Sequence, residues 1–121
     1  MKRAWKQWLV IACMATVAAP AFAQSKNDEL VVNGTDWLSS SVRERQAFLV
    51  GVANMIMAEG AYAKKNNQPT PPVIAQIIDA TQAAKIGDIE ARITRWYEAN
   101  PSKVTTPVMA VVWQDIVKAK R

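Results

Sequence analysis

The sequence predicts an all-α fold: a compact bundle of about four helices with short loops, following a cleavable export signal. Three observations lead to this prediction. Apolar residues recur three and four positions apart in several segments, as on one face of a helix. Capping residues or prolines stand where these segments begin, and Asn, Gly or Pro stands where they end. We therefore divide the chain into a signal peptide (1–23), an N-terminal arm (24–38) and a helical domain (39–121).

The first 23 residues have the three parts of a secretory signal. Three basic residues come first: Lys2, Arg3 and Lys6. Residues 9–19 are apolar, and Ala21-Phe22-Ala23 matches the small-x-small pattern that signal peptidase cuts. The apolar run is too short for a bilayer span, which takes about 20 residues. We expect cleavage between Ala23 and Gln24, a mature chain without a transmembrane segment, and a location in the periplasm.

Cys13 allows a second interpretation of this signal. The tetrapeptide Val10-Ile11-Ala12-Cys13 resembles the cleavage box of a lipoprotein, in which the cysteine becomes lipidated. Cleavage there would leave residues 9–12 as the whole apolar segment, whereas an ordinary signal has about 7–15 apolar residues. The sequence therefore favours cleavage after Ala23 over a lipid anchor.

The composition of the mature chain excludes several classes of function. The chain has no histidine, and its one cysteine lies in the signal. Zinc and copper sites of ordinary composition are thereby excluded, as is catalysis by Ser-His-Asp or Cys-His groups. Three of the 15 basic residues also lie in the signal, which leaves 12 against 10 acidic residues and argues against nucleic-acid binding. We predict a single non-enzymatic domain with no catalytic residue, no cofactor and no metal.

The arm is polar, and we expect it to be irregular, with a turn at Asn33-Gly34. Five apolar residues are expected to pin it onto the core: Leu30, Val31, Val32, Trp37 and Leu38. The first long helix starts after Ser41, because Ser41 and Glu44 form a capping box. Apolar residues fill positions 47–58 apart from Gly51 and Asn54, so we expect a helix buried on most sides that ends at Lys64 or Lys65.

One stripe of this helix consists of small residues: Ala47, Gly51, Ala58 and Ala61. Small side chains allow another helix to approach closely, so we predict a homodimer formed through this stripe.

Three shorter helices follow. Thr70 caps the second, a break near Gly87 separates it from the third, Asn100-Pro101 ends the third, and Thr106-Pro107 begins the last. Each of them has an apolar face. In the second helix it consists of Val73, Ile74, Ile77, Ile78 and Thr81, and in the third of Ile86, Ile89, Ile93, Trp96 and Tyr97. In the last helix it consists of Val108, Val111, Val112 and Ile116.

Glu59 is the most unusual position, because it falls among the apolar residues Phe48, Val52 and Met55 on the helical wheel. A buried carboxylate needs a partner or a shifted pKa. We predict a buried ion pair between Glu59 and Arg92 or Arg95, with a catalytic role for Glu59 as the weaker alternative.

Two segments resemble a known family. They are residues 45–52, RQAFLVGV, and residues 95–103, RWYEANPSK, which are followed by Thr106-Pro107-Val108. Their order is similar to small exported helical proteins of the Rap/Tai immunity group, which neutralise type VI secretion amidases in the periplasm. That group usually has cysteines that staple its helices, and the mature chain here has none. The resemblance implies a helical layout and an immunity-like role. Acid-stress periplasmic chaperones are similar in size and helix content.

The sequence thus predicts an exported protein that acts by binding another protein, as an immunity-like inhibitor or a chaperone. The alternative is a small-ligand or lipid carrier with a cavity between its helices. The residues expected to line that cavity are Met55, Tyr62, Trp96 and Trp113.

Overall fold

The computed structural model describes residues 30–120, and this part of the chain is all-α, as predicted. The helices are α1 (Gly34–Ser39), α2 (Val42–Lys65), α3 (Pro72–Thr81), α4 (Ile86–Ala99) and α5 (Val108–Val111). α5 continues without a break as a π-helix, Val112–Val117, and a 3-10 turn, Lys118–Lys120; another 3-10 turn covers Pro101–Lys103. The predicted signal peptide, the Ala23–Gln24 cleavage site, Cys13 and the start of the arm lie outside the described residues.

The arm contains a short helix where the sequence predicts a turn. Asn33 is the N-cap of α1: its side-chain oxygen accepts from the backbone N–H of Thr35 at 2.8 Å, and Asp36 accepts from the Asn33 N–H at 3.1 Å. A capping box therefore starts at Asn33, and the turn prediction is wrong. Of the five residues predicted to pin the arm to the core, Trp37 is buried and Val32 packs against the core. The prediction is wrong for the other three, since Leu30, Val31 and Leu38 are exposed.

α2 begins and ends where the sequence predicts. Ser41 and Glu44 form the capping box, with the Ser41 N–H donating to the Glu44 carboxylate at 2.7 Å, and the helix runs to Lys65. The prediction of burial on most sides is wrong, since Leu49 and Ala63 are the residues of α2 classed as buried. The long helix instead lies along one side of the molecule.

The caps of the shorter helices differ in detail from the prediction. Pro71, not Thr70, is the N-cap of α3, and Pro107, not Thr106, is that of α5; neither helix start has a side-chain cap. The break before α4 covers residues 82–85, so Gly87 lies within the first turn of α4. The predicted end of α4 before Asn100-Pro101 is confirmed.

The core lies where α1, α4 and the C-terminal helix meet. The fully buried large side chains there are Trp37, Ile93, Tyr97, Val108 and Val111. Backbone hydrogen bonds join the arm to the start of α5, with the Val108 N–H donating to the Val32 carbonyl at 2.9 Å. α2 and α3 contribute Leu49 and Ile77 to the same core, and part of their remaining apolar surface is uncovered.

Candidate functional site

The predicted ion pair of Glu59 with Arg92 or Arg95 does not form. Glu59 is exposed, and so is Arg95. Arg92 instead donates from Nε to the Asp115 carboxylate at 2.6 Å, and it also donates to the Asp115 backbone carbonyl. The prediction failed because the middle of α2 does not face α4 on the side where Glu59 lies, so the carboxylate stays in water.

The buried acid of the described chain is Glu90, which is 7% exposed. Arg45 Nη1 donates to Glu90 Oε1 at 3.1 Å, and the Thr94 hydroxyl contacts the same oxygen at 2.9 Å. The sequence carried a signal for this position: Glu90 lies four residues after Ile86, three before Ile93 and seven before Tyr97, on the apolar face of α4. The sequence does not distinguish Glu90 from Glu59, because both acids interrupt an apolar helix face and only the packing decides which is buried.

Arg45 also closes the end of α1. Its Nε donates to the Trp37 carbonyl at 2.6 Å and its Nη2 to the Leu38 carbonyl at 3.1 Å, which satisfies acceptors that a helix end leaves free. The Trp37 indole N–H donates to the Thr94 hydroxyl at 3.0 Å. The network therefore holds α1, α2 and α4 together. Every polar group in it is engaged within the protein, which indicates a structural role.

Two pKa shifts accompany structural hydrogen bonds. Burial raises the pKa of Tyr97 to about 12, and its hydroxyl donates to the Thr106 carbonyl at 2.6 Å. The backbone N–H and hydroxyl of Ser41 lower the pKa of Glu44 within the capping box. Neither group lies in a cleft that could hold a substrate.

The most unusual surface of the molecule is the outward side of α2. Between Ala47 and Tyr62 the one charged residue is Glu59. The residues that point away from the core all lie exposed, and we call them the outer face: Ala47, Val50, Gly51, Asn54, Met55, Ala58, Ala61 and Tyr62. Met55 is 69% exposed and Tyr62 63% exposed. A side chain built at Gly51 would meet nothing within 4 Å. The small-residue stripe predicted from the sequence therefore lies open to solvent.

A second apolar feature lies on the inward flank of α2, where it meets α3. This α2–α3 groove has a volume of about 380 Å³. It is lined by Leu49, Val52, Ala53, Ile56, Met57, Ile77, Ile78, Thr81, Gln82, Ala84, Ile86, Ile89, Met109 and Val112. No charged side chain lines it. Of the two polar side chains, Thr81 donates to the Ile77 carbonyl at 2.7 Å and Gln82 to the Asp79 carboxylate at 3.4 Å.

The cavity expected for a carrier does not have the predicted lining. Met55 lies on the other flank of α2, in a shallow depression, and Tyr62 is exposed. Trp96 and Trp113 pack against the core, and the Trp96 ring meets the Tyr97 ring edge to face at 5.3 Å between centroids. The groove depends instead on isoleucines of α3 and α4, whose separate apolar faces could not be combined before the packing was known.

Glu59 lies at the edge of another shallow depression, beside Met55, Ile56, Pro71 and Ile74. Its lining contains no second carboxylate. In the described part of the chain no group of three or more Asp, Glu, His or Cys residues could hold a metal ion. The same residues include no helix that is both long enough and apolar enough to cross a membrane.

No protein-family model, no curated protein and no solved structure matches the chain.

Proposed function

We propose that this protein is a small exported, non-enzymatic protein that binds another protein through the outer face of α2. The observation that carries the proposal is the contrast between the composition of α2 and its burial. Sixteen residues from Ala47 to Tyr62 include a single charge, yet Leu49 is the one residue of that run classed as buried. A helix of this composition normally has apolar contacts on most of its sides.

The chemistry of the outer face favours a protein over a small molecule. Contiguous exposed apolar patches on monomeric proteins mark sites of interaction. Methionine and tyrosine are typical of interface cores, and Met55 and Tyr62 stand about two turns apart on this face. The outer face follows one helix, and its residues Ala47, Gly51 and Met55 border a shallow depression. Such a surface suits a second helix on the partner.

The predicted export signal determines the compartment in which the protein binds its partner. If the chain is cleaved after Ala23, the helical domain reaches the periplasm and binds a protein there. The resemblance to the Rap/Tai group favours an immunity-like inhibitor that blocks one enzyme. Exposed methionines adapt to differently shaped partners, which favours a chaperone that holds several. High-affinity binding of one partner would therefore indicate an inhibitor, and weak binding of many partners would indicate a chaperone.

A second copy of the chain is one partner that fits the outer face. Ala47, Gly51, Asn54, Ala58 and Ala61 follow at alternating intervals of four and three, as in a heptad seam. The pattern is nearly symmetric about Asn54. An antiparallel pair would place Asn54 against its counterpart, where the two side-chain amides each supply a donor and an acceptor.

The decisive experiment compares two arginine variants in binding assays. Ala58→Arg places a long charged side chain in the middle of the outer face, and Ala99→Arg makes the same change at an exposed position of α4. We expect wild type and Ala99→Arg to enrich the same partner from a periplasmic extract and Ala58→Arg to lose it. The purified partner must then bind with the same ranking in calorimetry. Equal binding by all three proteins would reject the outer face as the site.

Light scattering on the same three proteins tests self-association. If the second copy is the partner, wild type and Ala99→Arg are dimers at micromolar concentration and Ala58→Arg is a monomer. A monomeric wild type that still enriches a partner would reject the dimer and keep the broader proposal.

A further inference from the structure

We infer that the α2–α3 groove binds a single unbranched hydrocarbon chain with a small anionic head, such as a fatty acid of medium length. This inference does not depend on the proposed protein partner, since no residue of the outer face lines the groove. The argument rests on the size of the groove, the character of its lining and the charges at its open end.

Size and lining define the tail. A volume of about 380 Å³ lies at the lower end of the range of small-molecule sites, roughly 300–1,000 Å³. It corresponds to about twelve groups of the size of a water molecule, at roughly 30 Å³ each, and a methylene group is of similar size. The two polar side chains of the lining are already hydrogen-bonded to other groups of the protein. A ligand that needs polar contacts along its length therefore fits poorly, and a hydrocarbon tail fits well.

Burial along the groove gives it a direction. Leu49, Ile77 and Val112 are buried and form its inner end. Met57, Gln82 and Ala84 are exposed and form its open end. A chain that enters tail first therefore leaves its head in water, beside the loop between α3 and α4.

The open end carries features that suit an anionic head. Lys85, which follows the lining residue Ala84, is exposed and is the N-cap of α4. It has no side-chain oxygen to accept from the first amides of the helix, and no side chain caps α4. A carboxylate at this place gains from the lysine charge and from the positive end of the helix dipole. Asp88, in the first turn of α4, opposes this effect, so the preference for an anionic head is modest.

The test measures how binding depends on chain length. Saturated fatty acids of 6–16 carbons compete with a fluorescent fatty acid for the purified protein, all below the concentrations at which they form micelles. We expect affinity to rise up to about fourfold for each added methylene, and to level off near twelve carbons, where the groove is full. Binding that does not depend on chain length, or no binding of any chain, would overturn the inference.

Matched variants place the ligand within the molecule. Ala53→Phe fills the groove, and Ala58→Phe makes the same change on the outer face of the same helix. We expect Ala53→Phe to weaken binding of dodecanoate at least tenfold and Ala58→Phe to leave it unchanged. The reverse ranking would assign the chain to the outer face. Circular dichroism and thermal unfolding check that both variants fold.

Lys85→Gln provides a variant that cannot be mistaken for a packing defect, because Lys85 is exposed. We expect it to weaken dodecanoate about twofold to fivefold, the scale of one exposed charge, and to leave dodecanol unchanged. An equal loss for both ligands, or no loss for either, would reject the proposed position of the head. If Ala53→Phe folds poorly, the chain-length series and the Lys85→Gln comparison still decide the question.

Discussion

Arg45 and Glu90 meet at 3.1 Å between Nη1 and Oε1, with side chains that are 12% and 9% exposed. This contact ties the start of α2 to the middle of α4, and Arg45 extends it to the last carbonyls of α1. One polar network therefore holds α1, α2 and α4 together. The network leaves the outer side of α2 free.

Glu90→Gln is expected to destabilise the protein by about 3 kcal/mol, since removing one partner of a buried ion pair leaves the other charge uncompensated. Glu59→Gln is the matched control and should change stability by less than about 0.5 kcal/mol, as is usual for exposed residues. Urea unfolding followed by circular dichroism measures both. Similar losses for the two variants would contradict the assignment of Glu90 as the buried acid.

Gly34→Ala is expected to destabilise the protein by about 1–3 kcal/mol, the usual range for overpacking. A Cβ at this position would lie 2.5 Å from two ring carbons of Tyr97 and 2.6 Å from the Val104 carbonyl oxygen. Gly51→Ala is the control on the outer face, where the added methyl meets nothing. Because alanine favours a helix interior over glycine by about 0.5–1 kcal/mol, this variant should be more stable than wild type. Relative to wild type, the denaturant midpoint is expected to fall for Gly34→Ala and to rise for Gly51→Ala. An unchanged midpoint for Gly34→Ala would show that α1 does not pack as described.

The stability of the protein should fall as the pH rises from about 10 to about 12. Burial raises the pKa of Tyr97 to about 12, so between these values the unfolded chain loses the phenol proton while the folded chain keeps it. The full effect is about 2–3 kcal/mol, at 1.36 kcal/mol per unit of pKa. Tyr97→Phe removes this dependence and costs about 1 kcal/mol at neutral pH, because the hydrogen bond to the Thr106 carbonyl is lost.

The measured quantity is the difference in stability between wild type and Tyr97→Phe, because every contribution that the two proteins share cancels in it. Thermal unfolding at pH 8 and at pH 11 supplies it. Parallel losses of stability in the two proteins would contradict the role of Tyr97.

Arg92→Met should loosen the C-terminal helix more than it lowers global stability. Arg92 donates to the carboxylate and to the backbone carbonyl of Asp115, within the π-helix Val112–Val117. The pair is partly exposed, so we expect a loss of no more than about 1 kcal/mol in global stability. In the variant, backbone hydrogen exchange should accelerate over wild type at residues 112–120, and by more than it does in α4. Unchanged exchange at these residues would show that the π-helix is stable without the arginine.

Local signals in the sequence were sufficient for most helix boundaries. The capping box of Ser41 and Glu44 is a contact between residues three apart, and Asn100-Pro101 blocks a helix by its own backbone chemistry, so both predictions succeeded. α1 was missed because six residues carry too few apolar positions to show a helical period, although the Asn33 and Asp36 capping pair was visible. The break before α4 was placed too late because glycine is tolerated in a first turn.

Polar partners and cavities were beyond the reach of the sequence. Glu59 and Glu90 both interrupt apolar helix faces, and only the packing of α2 against α4 decides which acid is buried. The groove combines residues of α2, α3, α4 and the C-terminal helix, whereas the sequence shows the apolar faces of α3 and α4 only as separate patterns. Pairing of faces depends on crossing angles and on the lengths of loops, which periodicity does not encode.

The sequence by itself determined the fold class and most of the helix boundaries, because these follow from periodicity and from contacts within a few residues. The tertiary structure alone decided that Glu90 pairs with Arg45, that Arg92 serves the π-helix, and that the apolar middle of α2 remains open on one face. Those outcomes depend on how helices far apart in the chain pack around one small core, which is too small to bury every side of a 24-residue helix.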